Sequence, residues 1–203
     1  MLAHYTLTPS QPGWLEDIDR AIEMYKPDGW KGYTIGDIIL TNASRSAYRL
    51  DDEKLMFLAF CTTNGIDLNE MVESRLFADM LPFRFQIVSV AHHSLGAIEG
   101  LKKGVFTPPG QTDPLDYRAL QKLVADTITG LQRLTPSDVN GLEGREVVFS
   151  FRDRQIPFTA ETFVLSFSLP NFFFHATTAY DILRTKGVPL GKRDFLGQLR
   201  IKH

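Results

Sequence analysis

Residues 170–197 read PNFFFHATTAYDILRTKGVPLGKRDFLG and carry the strongest structural signal in the chain. Apolar residues recur there at helical spacing around a lone histidine, His175, and Gly187 supplies a stop signal. We therefore expect a long last helix over residues 160–186, kinked at Pro170 because proline lacks the amide hydrogen that a helix needs. The segment after Gly187 should pack its apolar side chains back onto the helices.

Working toward the N-terminus, residues 144–159 contain the runs REVVFSF and QIPFT with the charged RDR between them, which predicts a small β-hairpin. Before it, a helix should start at Asp113 and Pro114. The stretch ADMLPFRFQIVSVAHHSLGAIEGLKKG predicts a long, central helix that Gly104 ends. Shorter helices are predicted over 12–26 and 51–62, the second one ending near Asn64 and Gly65.

The composition is that of a globular protein: 43% of residues are hydrophobic, 23% are charged and the net charge is −2. This balance gives no electrostatic case for nucleic acid or for an anionic membrane as a partner. No apolar run approaches the roughly 18 residues that span a bilayer, and no basic segment precedes an apolar one near the start. With a single cysteine, Cys61, that reads as a small buried residue, we expect a cytoplasmic protein.

Several segments together resemble one protein family. They are NGIDLNEMVESRLFADMLPFRFQI over 64–87, GREVVF over 144–149, and NFFFHATTAYDILR with GVPLGKRDFLG near the end. They resemble, in order and spacing, a family of domains of unknown function in the DinB/YfiT-like superfamily. The resemblance implies a mainly α fold. It would be a four-helix bundle at 64–203 with a small β-hairpin before the last helix and an irregular N-terminal extension at 1–63.

The N-terminal extension resembles something else. Residues 12–57, which include PGWLEDIDRAIEMYKPDGWKGYTIGD, resemble a fragment of the amidohydrolase family of metal-dependent TIM barrels. The fragment is far shorter than the roughly 250 residues of such a barrel, and it lacks that family's metal motifs. It therefore implies no barrel. The extension could replace the first bundle helix only in part, which favours a partner chain, and we expect a homodimer.

The DinB/YfiT-like resemblance also implies a possible metal site. That superfamily often binds a divalent metal through one histidine on its second helix and two on its last. Here His92 and His93 fall on the second helix and His175 on the last. One hypothesis is a zinc or nickel site of His92, His175 and a carboxylate from Asp79 or Asp181. The other is that these histidines are held in the core by hydrogen bonds.

Helical geometry separates the two neighbouring histidines. Adjacent residues on an α-helix point about 100° apart, so His92 and His93 should not face one centre together. His92 shares its face with apolar residues and is expected to point inward, whereas His93 should face solvent or a groove.

The last helix offers a ligand pocket without a metal. Asn171, His175 and Thr178 share one of its faces, and with His92 they could form a small polar pocket. The leading hypothesis is therefore a module that binds a small molecule or a partner protein there. The first alternative is a divalent-metal-dependent enzyme of the thiol-dependent transferase type. A hydrolase, implied only by residues 12–57, is the least favoured.

Overall fold

The computed structural model describes residues 57–110 and 114–196, which are mainly helical with one small sheet. Helix α1 covers residues 57–64 of this part. The other helices are α2 (Leu68–Val72), α3 (Phe83–Ala91), α4 (Ala97–Lys103), α5 (Tyr117–Gln132), α6 (Pro136–Asn140), α7 (Ala160–Phe163), α8 (Leu169–Thr185) and α9 (Lys192–Leu196). The strands are β1 (Val105–Phe106), β2 (Glu146–Phe151) and β3 (Arg154–Thr159).

Two π-helical segments interrupt the two long helices. The first π segment, His92–Gly96, joins α3 to α4, and the second π segment, Val164–Ser168, joins α7 to α8. The second one ends two residues before Pro170. A proline has no amide hydrogen and clashes with the carbonyl one turn back, so a widened turn before it relieves both problems. The predicted kink at Pro170 is thus a π segment in the structure.

Helix boundaries agree with the sequence where a glycine ends a helix. Gly104 follows α4 with φ 73°, and Gly187 follows α8 with φ 89°, both in the left-handed region that suits glycine. The predicted start of α5 at Asp113 was wrong, since Asp116 caps the helix by accepting a hydrogen bond from the Ala119 amide. Asp113 itself lies outside the described residues.

The sheet has the order β1-β2-β3. Strands β2 and β3 pair antiparallel from Glu146 opposite Thr159 to Phe151 opposite Arg154, which confirms the predicted hairpin. Strand β1 pairs parallel with β2 and was not predicted. With two residues it is too short to show the alternation by which a strand is recognised. Its Phe106 is buried and brings the sheet against α4.

Two buried apolar clusters stabilise the fold. One joins α1, α2, α3, α5 and the C-terminal half of α8, and it includes Phe57 and Cys61 of α1. The other joins α4, the sheet, α6 and α7 around Phe163. Val188 and Leu190 pack back onto the first cluster, as the sequence predicts. Burial of Cys61, at 1% exposure, is also confirmed.

The N-terminal predictions for 12–26, and the amidohydrolase-like segment except for Phe57, lie outside the described residues. Among the described helices, none combines the length and the apolar character that crossing a membrane requires.

Candidate functional site

Three histidines meet where α3 and the first π segment pack against the second π segment and α8. Along the chain, His92 and His93 lie between Ile87 of the first apolar cluster and Ala97 of the second. His175 lies between Leu169, which packs against the second cluster, and Ala179 of the first. Each of the three is half-buried. Buried polar side chains also collect here, among them Gln86 and Ser168, each 2% exposed. We call His92, His93 and His175 the histidine cluster.

His175 is held by a two-step hydrogen-bond chain. Its Nδ1 lies 2.7 Å from Oε1 of Gln86, and Nε2 of Gln86 donates to the Leu81 carbonyl at 2.9 Å. Because a carbonyl can only accept, the Gln86 nitrogen faces Leu81 and the Gln86 oxygen faces His175. Nδ1 of His175 must therefore carry the proton and donate it. When the ring is neutral, Nε2 of His175 is left as a hydrogen-bond acceptor.

His92 carries its proton on the other ring nitrogen. Its Nε2 donates to the Thr107 carbonyl at 2.6 Å, and its ring stacks on Phe106 with 4.3 Å between centroids. The acceptor nitrogen, Nδ1, is turned toward its own helix: a Cβ placed on Gly96 would lie 3.1 Å from it. Gly96 therefore makes room for the His92 ring, and Nδ1 of His92 faces the helix backbone.

His93 lies at the centre of the cluster. Its ring centroid is 5.7 Å from that of His92 and 6.1 Å from that of His175. Ser168 of the second π segment donates its hydroxyl to the His93 carbonyl at 3.0 Å and lies 3.4 Å from Nδ1 of His93. This contact joins the two π segments, a type of distortion that recurs at functional sites.

Phenyl rings surround the three imidazoles. Phe85 and Phe174 meet His175 edge-on at 5.8 and 5.3 Å, and Phe106 and Phe167 lie 5.3 and 5.7 Å from His93. Phe174 is 58% exposed, so the cluster opens to the surface beside an aromatic side chain.

Burial lowers the pKa of all three histidines. The pKa of His93 falls to about 3, first because burial disfavours the charged ring and then because His92 and His175 would repel that charge. The pKa of His175 is lowered by burial alone. Burial also lowers the pKa of His92, although its bond to Thr107 and the nearby Glu99 oppose the shift. The cluster is therefore neutral at pH 7.

The predicted division between His92 and His93 needs correction. The expectation was that His92 faces inward and His93 faces solvent or a groove, yet both are half-buried and His93 is the ring stacked on His175. The physical reason is the first π segment. A π turn holds more residues than an α turn, so the angle between consecutive side chains is smaller, and both rings fit on one side.

The other predicted pocket residues bond to their own helix. Nδ2 of Asn171 donates to the Phe167 carbonyl at 2.7 Å, and the buried Thr178 hydroxyl donates to the Phe174 carbonyl at 2.8 Å. Gln86 and Ser168, which hold the histidines, were missed. The sequence does carry one signal for Gln86, since a glutamine inside an apolar helix face implies a buried polar partner.

The arrangement does not fit a metal ion as it stands. Among residues 57–110 and 114–196, no three or more histidine, cysteine, aspartate or glutamate side chains are grouped so that they could hold one. The rings of His93 and His175 are stacked, with 16° between their planes and 6.1 Å between their centroids, and Nδ1 of His92 faces Gly96. Asp79, one of the two predicted carboxylate ligands, is exposed.

Comparison with known proteins supplies the family context. A family model described as Domain of unknown function (DUF1993) matches residues 57–196. No curated protein matches the chain significantly. A solved structure of a DinB family member protein from Shewanella denitrificans is similar, with a TM-score of 0.69 and 23% identity over 83% of this chain and 95% of that one. That likeness concerns the fold alone.

Proposed function

Because the chain belongs to the DUF1993 family of domains of unknown function, we propose its function from the histidine cluster: it binds a small, neutral, planar molecule that carries an O–H or N–H donor. The observation that carries this proposal is the hydrogen-bond chain from His175 through Gln86 to Leu81. It fixes His175 with Nε2 as an acceptor in a neutral, aromatic environment.

The chemistry of the surroundings supports the class of ligand. Neutral imidazoles do not attract an anion, and the carboxylate of Glu99 acts on His92, whereas burial alone shifts the pKa of His175. The rings of Phe85, Phe174 and His93 around His175 offer faces and edges on which a flat molecule can pack. Asn171 and Thr178 would line such a site without donating to the ligand, because both donate to their own helix.

Phenol is a simple probe of this proposal, since it is planar, neutral and a donor. Titration of the full-length protein with phenol, read from the NMR signals of the histidine ring protons, should give saturable shifts for His175 and His93. His175→Phe should abolish the response, and Thr185→Val, at the other end of the same helix, should leave it unchanged. A response that survives in His175→Phe would contradict the proposal.

The second candidate is the divalent-metal-dependent enzyme of the thiol-dependent transferase type. One observation favours it: His92 and His175 each donate a ring N–H to an amide-type oxygen, as ligating histidines commonly do. Binding would need Nδ1 of His92 to turn away from Gly96. Elemental mass spectrometry of the purified protein, with His92→Ala and His175→Ala, tests it. Near-stoichiometric zinc or nickel that both variants lose would favour the enzyme over the ligand-binding module.

Hydrolase activity remains the least favoured hypothesis. It depends on residues 12–57, and the family model begins only at residue 57. Removal of residues 1–56 would abolish any hydrolysis that depends on this segment, so an assay of both forms against an amide substrate would decide it.

We also propose that α1 replaces the first helix of a four-helix bundle. Phe57 and Cys61 of α1 are buried in the same cluster as Phe83 of α3 and Ile182 of α8.

The predicted homodimer stays a prediction. Exposed Phe77, Leu81, Phe173 and Phe174 are the apolar side chains that it should bury. Sedimentation over a range of concentrations measures dimer formation by the native protein and by Phe174→Ser, which should dimerise less.

A further inference from the structure

A cavity of about 470 Å³ lies between the end of α1, the start of α2 and the first turn of α5. None of the three histidines lines it. Its volume falls within the range of roughly 300–1,000 Å³ that is usual for small-molecule sites. We call it the Tyr117 cavity, after the aromatic residue in its wall.

The Tyr117 hydroxyl is buried and meets no hydrogen-bond partner among the described residues. The residue is 8% exposed, and its ring packs against Phe57 with 5.2 Å between centroids. Within the described part of the chain, its hydroxyl is the buried side-chain polar atom that meets no hydrogen-bond partner. Gln121 is near enough to favour the ionised form but does not reach hydrogen-bond geometry. Such an unmade bond is costly, and a ligand atom can supply it.

This hydroxyl can act as a donor at any physiological pH. Burial raises the pKa of Tyr117 to about 12, and the neighbouring Cys61 adds to the rise. A phenol held in its protonated form offers its hydrogen to an acceptor oxygen.

The wall combines apolar and amide surface. Leu58, Ile66 and Leu68 supply apolar surface, and Asn69 and Gln121 supply amides. Oδ1 of Asn69 accepts from the Tyr117 backbone amide at 3.1 Å, which leaves Nδ2 of Asn69 as a donor. Tyrosine hydroxyl and amide donors together favour a ligand with an acceptor such as a carbonyl oxygen.

The charges of the wall favour a neutral ligand. Asp67 and Asp116 line the cavity and cap α2 and α5, accepting from the backbone amides of Asn69 and Ala119. Arg118 is the cation of the lining. An anionic ligand would face two carboxylates against one guanidinium, and a cationic one would face the donor hydrogens of Tyr117 and Asn69.

We propose that the Tyr117 cavity is a second binding site, which takes a neutral, partly apolar molecule whose carbonyl or amide oxygen accepts the hydrogen bond of the Tyr117 hydroxyl. The side chain of Gln121, which is half-buried beside that hydroxyl, moves aside when the ligand enters. This site is independent of the histidine cluster.

Benzamide is a suitable probe, since it has a flat apolar ring and an amide oxygen. Because its N–H also fits the donor proposed for the histidine cluster, only signals of residues around the Tyr117 cavity are read. Two-dimensional amide NMR of the full-length protein titrated with benzamide should show saturable shifts over residues 58–69 and 116–121. Tyr117→Phe should weaken the apparent affinity at least tenfold. His175→Phe should leave it unchanged, which separates this site from the one in the preceding proposal.

The single cysteine of the chain gives a second measurement at the same place. Cys61 lines the cavity, and burial raises the pKa of its thiol. Benzamide should slow the alkylation of Cys61 by iodoacetamide in the native protein and in His175→Phe, but not in Tyr117→Phe. The proposal is overturned if benzamide causes no saturable shift at these residues, or if Tyr117→Phe binds and protects as well as the native protein.

Discussion

The imidazole rings of His93 and His175 lie nearly parallel, with 16° between their planes and 6.1 Å between their centroids. The His93 ring belongs to the first π segment and the His175 ring to α8. Their stack therefore joins the two long helices at a position between the two apolar clusters. A positive charge on either ring would face the other ring in a half-buried site. The stability of the fold should therefore depend on these rings staying neutral.

We expect the free energy of unfolding to fall as the pH is lowered from 7 to 5.5. The folded pKa of His93 is about 3, and those of His92 and His175 are also lowered, whereas an unfolded histidine titrates near 6.5. Below that pH the unfolded chain binds more protons, so stability is lost as the pH falls. The slope is at most about 1.4 kcal/mol per pH unit for each such histidine.

Urea unfolding at several pH values measures this slope, and most exposed carboxylates stay ionised over that range. His93→Phe should reduce the slope more than His175→Phe, because His93 has the larger shift. NMR titration of His93 supplies an independent check. If its ring protonates near pH 6.5 in the folded protein, the interpretation of the cluster as neutral is wrong.

Gln86 should control the pKa of His175. Gln86→Glu places a carboxylate where Oε1 accepts from Nδ1 of His175, so the pKa of His175 should rise by more than one unit, in the direction opposite to burial. Gln86→Leu removes the partner of both His175 and the Leu81 carbonyl and should cost about 1–3 kcal/mol of stability. NMR titration of the His175 ring and urea unfolding measure the two effects. An unchanged His175 pKa in Gln86→Glu would contradict the hydrogen-bond chain.

The sequence predicted the features that depend on local patterns. Helical periodicity predicted α8, two short strand-like runs with a charged turn between them predicted the β2–β3 hairpin, and glycine predicted the ends at Gly104 and Gly187. The site was predicted less well. His92 and His175 were singled out, but the position of His93 depends on a π turn that no residue pattern encodes. The roles of Gln86 and Ser168 depend on contacts between residues 89 and 75 positions apart in the chain.

Gly100 should be far less replaceable than Gly130, although both lie within helices. A Cβ on Gly100 would lie 2.8 Å from the Phe106 ring and 3.3 Å from the Val105 carbonyl, whereas the nearest atoms to one on Gly130 belong to the Leu95 side chain, the closest at 2.4 Å. Leu95 can change its rotamer, but Phe106 is 2% exposed and stacks on His92. We expect Gly100→Ala to cost about 1–3 kcal/mol.

Gly130→Ala is the matched control, since the gain in helix propensity of up to about 1 kcal/mol should offset much of its clash. Gly100→Ala should also disturb the NMR signals of His92, because it displaces Phe106. Chemical denaturation of both variants gives the comparison. Equal losses of stability in the two variants would mean that Phe106 can move away from a Cβ at Gly100 as easily as Leu95 moves away from one at Gly130.

The contribution of α1 to the fold can be measured through Phe57. Its ring is 2% exposed, stacks on Phe83 of α3 and packs against Tyr117 of α5, at 6.1 and 5.2 Å between centroids. If α1 replaces a bundle helix, Phe57→Ala should leave a cavity and cost about 3–5 kcal/mol. Leu165→Ala, at a position that is 46% exposed, should change stability by less than about 0.5 kcal/mol. Urea unfolding compares them, and a small loss in Phe57→Ala would mean that the bundle is stable without α1.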